Sequence, residues 1–171
     1  MKSVRKIGLM TDISLMMKPF KYLLWMVILF GCIACHQKPD AVDSQNRPIQ
    51  LADYQHKWLV VNYWATWCKP CLTELPELNA LNAQYAKQLS VLGVSFDGLA
   101  NAEIESFSQS FHITFPLLST FPIQRFGIKE IVSLPVSFIF DPLGHLSKTL
   151  YGPQTEKSIL QALNISQHVS R

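Results

Sequence analysis

What constrains this chain most is a change of hydrophobic period across one short stretch. Residues 57–63, Lys-Trp-Leu-Val-Val-Asn-Tyr, put apolar or aromatic side chains on both alternating faces, the pattern of a strand buried on each side. From Pro70 the period lengthens. Cys71, Leu72, Leu75, Leu78, Leu81 and Tyr85 recur at three- and four-residue steps, which is the core stripe of an amphipathic helix. Between the two patterns lies Ala65-Thr66-Trp67-Cys68-Lys69-Pro70-Cys71, so Cys68 falls at the helix N-terminus and Pro70 in the first turn, where a missing N–H costs nothing. Pro76 lies within the helix and is expected to kink it.

The rest of the chain continues the alternation. Residues 91–96 read as a second buried strand, followed by a loop at Asp97-Gly98 and a helix over 101–111 with Asn101 as its cap. Residues 115–118 read as a short strand or extended edge, 121–127 as a turn of helix, and 136–140 as a third strand. Asp141-Pro-Leu-Gly144 is turn chemistry, and 145–151 returns as the second arm of a hairpin. Thr155 caps a last helix with Ile159, Leu160 and Leu163 on one side. This order implies a mixed α/β sandwich, and 171 residues give it room for one domain with a sizeable core.

The first residues belong to something else. Lys18-Pro-Phe-Lys21 carries positive charge, and residues 22–34 form an uncharged apolar run shorter than the roughly 18 to 20 residues of a spanning helix. This is expected to be a secretory signal over 1–31. Leu29-Phe30-Gly31-Cys32 resembles the bacterial lipobox, in which a small residue precedes a cysteine that is diacylated; Cys35 is the alternative lipidation site, and an uncleaved anchor the other reading. Five Lys or Arg and one Asp precede Cys32, which leaves ten basic and eleven acidic residues after it. The basic balance therefore belongs to the signal, and no basic patch remains to hold nucleic acid. Residues 32–50, polar and without periodicity, are expected to be a tether, and 51–171 the folded domain.

Two cysteines two residues apart can hold a metal, close a static crosslink or pass electrons. A zinc site needs two more ligands, and His36, His56, His112, His145 and His168 show no paired ligand spacing. A static disulfide is open to an exported chain, although a crosslink has no need of the tryptophan or of the helix N-terminus. The electron-passing reading draws on both. A thiolate is the species that attacks a disulfide, and the partial positive charge and unpaired N–H groups of a helix N-terminus stabilise it. Cys68 holds that place and Cys71 lies one turn in, positioned to resolve a mixed disulfide.

The residues Asn62-Tyr-Trp-Ala-Thr-Trp-Cys-Lys-Pro-Cys-Leu-Thr-Glu-Leu-Pro76, then Val94-Ser-Phe-Asp97, then Phe126 to Gly144 with Leu134-Pro135, resemble the thioredoxin fold and, within it, the TlpA/ResA-type extracytoplasmic thiol-disulfide oxidoreductases. The resemblance covers roughly residues 51–163. It implies a central mixed sheet flanked by helices, with the βα insertion of that group. It implies Cys68 as nucleophile and Cys71 as resolving cysteine, with Lys69 and Pro70 as the active-site dipeptide. Thioredoxin carries an acidic residue where this chain has Asn62, and an amide cannot move protons. The resemblance puts that task on Glu74, with a raised pKa where it is desolvated; the other reading is a solvated surface glutamate. Pro135 matches the cis-proline that faces the cysteines, so that Leu134 would present backbone groups to an extended peptide. Trp67 would belong to that docking surface, while Trp64 reads equally well as core. A peroxiredoxin would carry threonine three residues before its cysteine, where this chain has Ala65.

The implied activity is reduction of disulfides in exported proteins, with no metal and no cofactor beyond the Cys68–Cys71 pair. Electrons would come from a transmembrane thiol reductase to a monomer held at the membrane, extracytoplasmic and in a bacterial periplasm. Alternatives are a disulfide oxidase or isomerase, a cytochrome c maturation thioredoxin, and a redox-independent binding module. Haem-pathway members typically carry Pro-Glu-Thr where this chain has Pro135-Val-Ser137.

Overall fold

The computed structural model describes residues 38–165. The signal segment 1–31, both candidate lipidation cysteines and the start of the expected tether lie outside the described residues. In chain order the elements are β1 (Ala41–Val42), β2 (Pro48–Ile49), β3 (Trp58–Trp64), α1 (Lys69–Gln84), β4 (Leu89–Ser95), α2 (Asn101–Ser110), β5 (Leu117–Leu118), β6 (Val136–Phe140), β7 (Leu146–Tyr151) and α3 (Glu156–Leu163). Short 3₁₀ turns lie at Leu51–Tyr54 and Ile123–Phe126.

Five strands form one sheet in the order β5-β4-β3-β6-β7. The β5, β4 and β3 strands run parallel, and β6 and β7 run antiparallel to their neighbours. This is the mixed, helix-flanked sheet of the thioredoxin-like fold. The insertion falls at one edge, where α2 is followed by β5, which extends the sheet beyond β4.

Alternation along β3 divides its side chains between two cores. Leu59, Val61 and Tyr63 pack with Leu92, Val94, Phe138 and Phe140 on one face. Val60 and Trp64 pack on the other with Cys71, Leu75, Leu78 and Leu81 of α1 and Ile159 and Leu160 of α3. A period-2 strand and a helical stripe thus meet over a shared apolar layer. Asn62 has the parity of Val60 and Trp64, so this amide enters the face that α1 covers, opposite Ser137 in the β3–β6 register.

Three local expectations are corrected. Residues 39–50 are no tether: β1 and β2 pair as a hairpin, Asp43 bridges to Leu118, Ser44 N–H donates to the Leu117 carbonyl at 2.8 Å, and Ile49 is buried in the core. The buried Asp43 carboxylate organises the hairpin turn, accepting from the Gln45 and Arg47 N–H groups at 3.0 and 2.8 Å and from Arg47 Nε at 2.6 Å. The domain therefore starts earlier than Leu51. Asn101 is the first residue of α2 rather than its cap. Glu103 reaches back to the N–H of Ala100 at 2.8 Å, and the Asn101 amide donates to Asn46 Oδ1 of the hairpin turn instead. The turn of helix expected over 121–127 is a 3₁₀ turn confined to Ile123–Phe126.

Candidate active site

The site forms where β3 ends and α1 begins. Cys68 and Cys71 are joined by a disulfide of 2.07 Å, with Cα atoms 5.3 Å apart. Cys68 is the N-cap of α1, and its Sγ accepts from the Cys71 N–H at 3.3 Å. Lys69 and Pro70 open the helix, both exposed. Cys71 is fully buried and Cys68 nearly so, while Trp67 beside them is 68% exposed. The pair is thus reached from one side, past Cys68 and Trp67.

Glu74 follows Cys71 by three residues on α1, and side chains at that spacing share a face with Cβ atoms about 5–6 Å apart. It is no solvated surface glutamate: it is 2% exposed. Asn62 Nδ2 donates to its Oε1 at 2.7 Å, and the backbone N–H of Gln154, ahead of α3, donates to Oε2 at 2.8 Å. Burial raises the pKa of this carboxyl to about 7, against the lowering pull of the Gln154 and Asn62 hydrogen bonds. The group can therefore take up or release a proton near neutrality. Asn62 also donates to Ser137 Oγ at 3.1 Å, so amide, hydroxyl and carboxyl form one buried polar cluster beneath the disulfide helix.

The Leu134–Pro135 bond is cis. Pro135 is buried, and its carbonyl accepts from the Gly152 N–H at 2.9 Å. Leu134 is half-buried and touches both cores. Trp64 is fully buried, stacked on Phe107 with centroids 4.2 Å apart, and so belongs to the core.

Several residues that position the site escaped the sequence reading. Asp97 at the end of β4 accepts from both the N–H and the hydroxyl of Thr66, at 2.9 and 2.6 Å, and from the Ser95 hydroxyl at 2.6 Å. Burial raises its pKa, but these hydrogen bonds outweigh burial and hold the carboxyl below its ordinary value. The Phe96 N–H donates to the Trp64 carbonyl at 2.8 Å, so the loop leading to Cys68 is pinned to β4 from two points. Loop chemistry at Asp97-Gly98 was visible in the sequence; its target was not. Gln154 acts through its backbone, for which no side-chain signal exists. Among the described residues no cluster of three or more His, Cys, Asp or Glu is placed to hold a metal.

Comparison with known proteins sets this geometry in context. Residues 35–149 match the model of the AhpC/TSA family. The thiol-disulfide oxidoreductase ResA of Geobacillus thermodenitrificans (strain NG80-2) is 35% identical over 128 residues, 73% of each chain. The exposed lipoprotein thioredoxin Etrx1 of Streptococcus pneumoniae strain TIGR4 superposes with a TM-score of 0.61 at 25% identity, over 72% of this chain and 96% of that one. A thioredoxin-family thiol:disulfide interchange protein from Chlorobium tepidum TLS shares the fold with a TM-score of 0.60 at 23% identity, over 77% and 97%.

Proposed function

This chain belongs to the AhpC/TSA family and is a thiol-disulfide oxidoreductase of the ResA type, and on that premise we propose that it reduces disulfides in exported proteins from a tethered position at a membrane, outside the cytoplasm. The observation that carries the proposal is a cysteine at a helix N-terminus, paired with a buried cysteine one turn in and followed by a buried acid about one turn beyond that.

In the reduced form, Cys68 is a thiolate favoured by the N–H groups and dipole of α1. It attacks one sulfur of a client disulfide and displaces the other as a thiolate, which takes a proton from water. Cys71 then loses its proton to the Glu74 carboxylate and attacks Cys68 Sγ. The client's second sulfur leaves as a thiolate and is protonated in turn. Two electrons pass from the dithiol to the client, and the chain is left with the Cys68–Cys71 disulfide. The redox group is the cysteine pair itself. A transmembrane thiol reductase would regenerate the dithiol, leaving Glu74 to return the proton. Trp67, exposed beside Cys68, and the backbone of Leu134, turned by the cis bond to Pro135, would receive the client chain.

Placement outside the cytoplasm rests on the apolar N-terminal run and on the relative described as an exposed lipoprotein. Tethering through Cys32, or through Cys35, rests on the lipobox-like sequence alone. A peroxidatic reading has less support, because Ala65 stands three residues before Cys68 and the Thr66 hydroxyl is engaged by Asp97.

Trapping tests the reaction. With a disulfide-bridged model peptide, the reduced full chain is expected to release two thiols per dithiol consumed. Cys71→Ser should stall as a mixed disulfide on Cys68, and Cys68→Ser should do nothing. A Cys71→Ser variant that accumulates no adduct would contradict the assignment of nucleophile. A Cys68→Ser/Cys71→Ser double variant that supports its host as the wild type does would instead favour a binding module.

A further inference from the structure

Among the described residues two buried side-chain polar atoms have no hydrogen-bond partner, and one of them, Asn62 Oδ1, belongs to the side chain that holds Glu74. Asn62 is fully buried, and its Nδ2 donates to Glu74 Oε1 at 2.7 Å and to Ser137 Oγ at 3.1 Å. The Gln154 N–H donates to Oε2. This arrangement suits a carboxylate, which only accepts. It does not suit a carboxylic acid. Once Glu74 is protonated, its O–H needs an acceptor, and both groups now facing it are donors. The one acceptor within the same side-chain pair is the unpartnered Asn62 Oδ1.

Half a turn of the amide about its terminal torsion exchanges Oδ1 and Nδ2, and that torsion is broad and two-fold. The acid O–H then donates to Oδ1. Ser137 fits either state, because a hydroxyl accepts from Nδ2 in one and donates to Oδ1 in the other. Each state leaves one buried amide atom unpartnered, so neither is favoured by the count of lost hydrogen bonds. We propose that Asn62 is a positioning residue that turns by half each time Glu74 gains or loses its proton, with the Ser137 hydroxyl reversing alongside it. The residue that replaces thioredoxin's acid thus carries no proton; it gives the acid beside it a partner in both protonation states.

The inference rests on the reading of Glu74 as the proton carrier. Burial and the Gln154 and Asn62 hydrogen bonds set the Glu74 pKa, and the charged Glu156 and Lys157 that open α3 do not enter it. β3 supplies Asn62, with Tyr63 pointing to the opposite face; β6 has no titratable side chain; and the turn before α3 supplies a backbone N–H. On α1 itself Cys71 is in the disulfide, and Glu77 accepts from the Glu156 N–H at 3.0 Å. Proton uptake at this cluster is therefore a matter of burial and of two neutral donors.

The test is nuclear magnetic resonance on the oxidised, isotope-labelled full chain, following the Glu74 carboxyl carbon and the Asn62 Nδ2 protons across neutrality. Above the carboxyl midpoint, Overhauser cross-peaks from the Asn62 Nδ2 protons to the Ser137 Cβ and Glu74 Cγ protons are expected. Below it they should vanish, at the same midpoint. In Glu74→Gln the facing group is an NH₂ that must donate, so Asn62 should be locked in the turned state, with those cross-peaks absent at every pH. If the carboxyl titrates while the cross-peaks persist on both sides and in Glu74→Gln, the turning amide is wrong and the proton carrier stands. If the carboxyl takes up no proton across neutrality, both fall.

Discussion

Glu74 binds its proton more tightly in the folded chain than in the unfolded one, and that difference is a statement about stability. Its pKa is raised from 4.5 to about 7 by burial. Between those values the native state holds more protons than the unfolded state, so stability is fully present below the ordinary carboxyl range and is lost as pH rises through about 7. The span corresponds to at most about 3 kcal/mol. Above the ordinary carboxyl range, from about pH 5 to about pH 8, the denaturant midpoint should therefore fall more for the wild type than for Glu74→Gln, whose remaining slope comes from the other titrating groups; an equal slope in both would contradict this account of the buried acid. In the reaction, Glu74→Gln should slow resolution by Cys71 roughly 100-fold, at the low end for a positioned acid–base group. The places of Cys68 and Cys71 at the head of one helix were legible from the change of period, and Glu74 was singled out through the family resemblance. Its partners were not legible. Asn62, Ser137 and Gln154 reach Glu74 from distant parts of the chain, and only the register of β6 against β3 brings Ser137 alongside Asn62.

The β4 strand shows how an element can serve the site from outside it. Asp97, just beyond its end, holds Thr66 and so fixes the loop that delivers Cys68 to α1. Asp97→Asn keeps the shape but has one acceptor oxygen where the carboxylate uses two, and it loses the charge that strengthens those bonds. A loss of about 1–2 kcal/mol is expected from the denaturant midpoint, with the disulfide still forming; no change would mean that these hydrogen bonds contribute nothing to the loop. At Gly93 of the same strand, an added Cβ would lie 2.4 Å from Leu117 Cδ2 and 3.0 Å from Phe115 Cε2, both in the packed core. Gly93→Ala should cost about 1–3 kcal/mol as an overpacked site, measured in the same way, and a stabilised variant would show that the inserted edge yields. The strands and helices were legible from their periods. The β1–β2 hairpin was not, because its strands are two residues each and too short for any period to register. What holds it is the buried Asp43 carboxylate, bonded within its own turn, together with two tertiary contacts, an ion pair between Asp40 and Arg125 and a bridge from Asp43 to Leu118.

At the scale of the molecule, the fold places the Cys68–Cys71 disulfide where β3 gives way to α1, with the buried Glu74 carboxyl beneath it and the β1–β2 hairpin bridged to β5 at the sheet edge. That arrangement is common ground for reduction and oxidation. The direction is set by the relative stability of dithiol and disulfide, and the reductase reading requires the disulfide to be the more stable form against most clients. The most direct test is the reduction potential of the Cys68–Cys71 pair, measured on the full chain equilibrated in defined thiol buffers. A value near that of thioredoxin, about −270 mV, is expected, and would call for a membrane source of electrons. A value near the strongly oxidising end, about −120 mV, would contradict the reductase and make the chain a donor of disulfides to newly exported proteins.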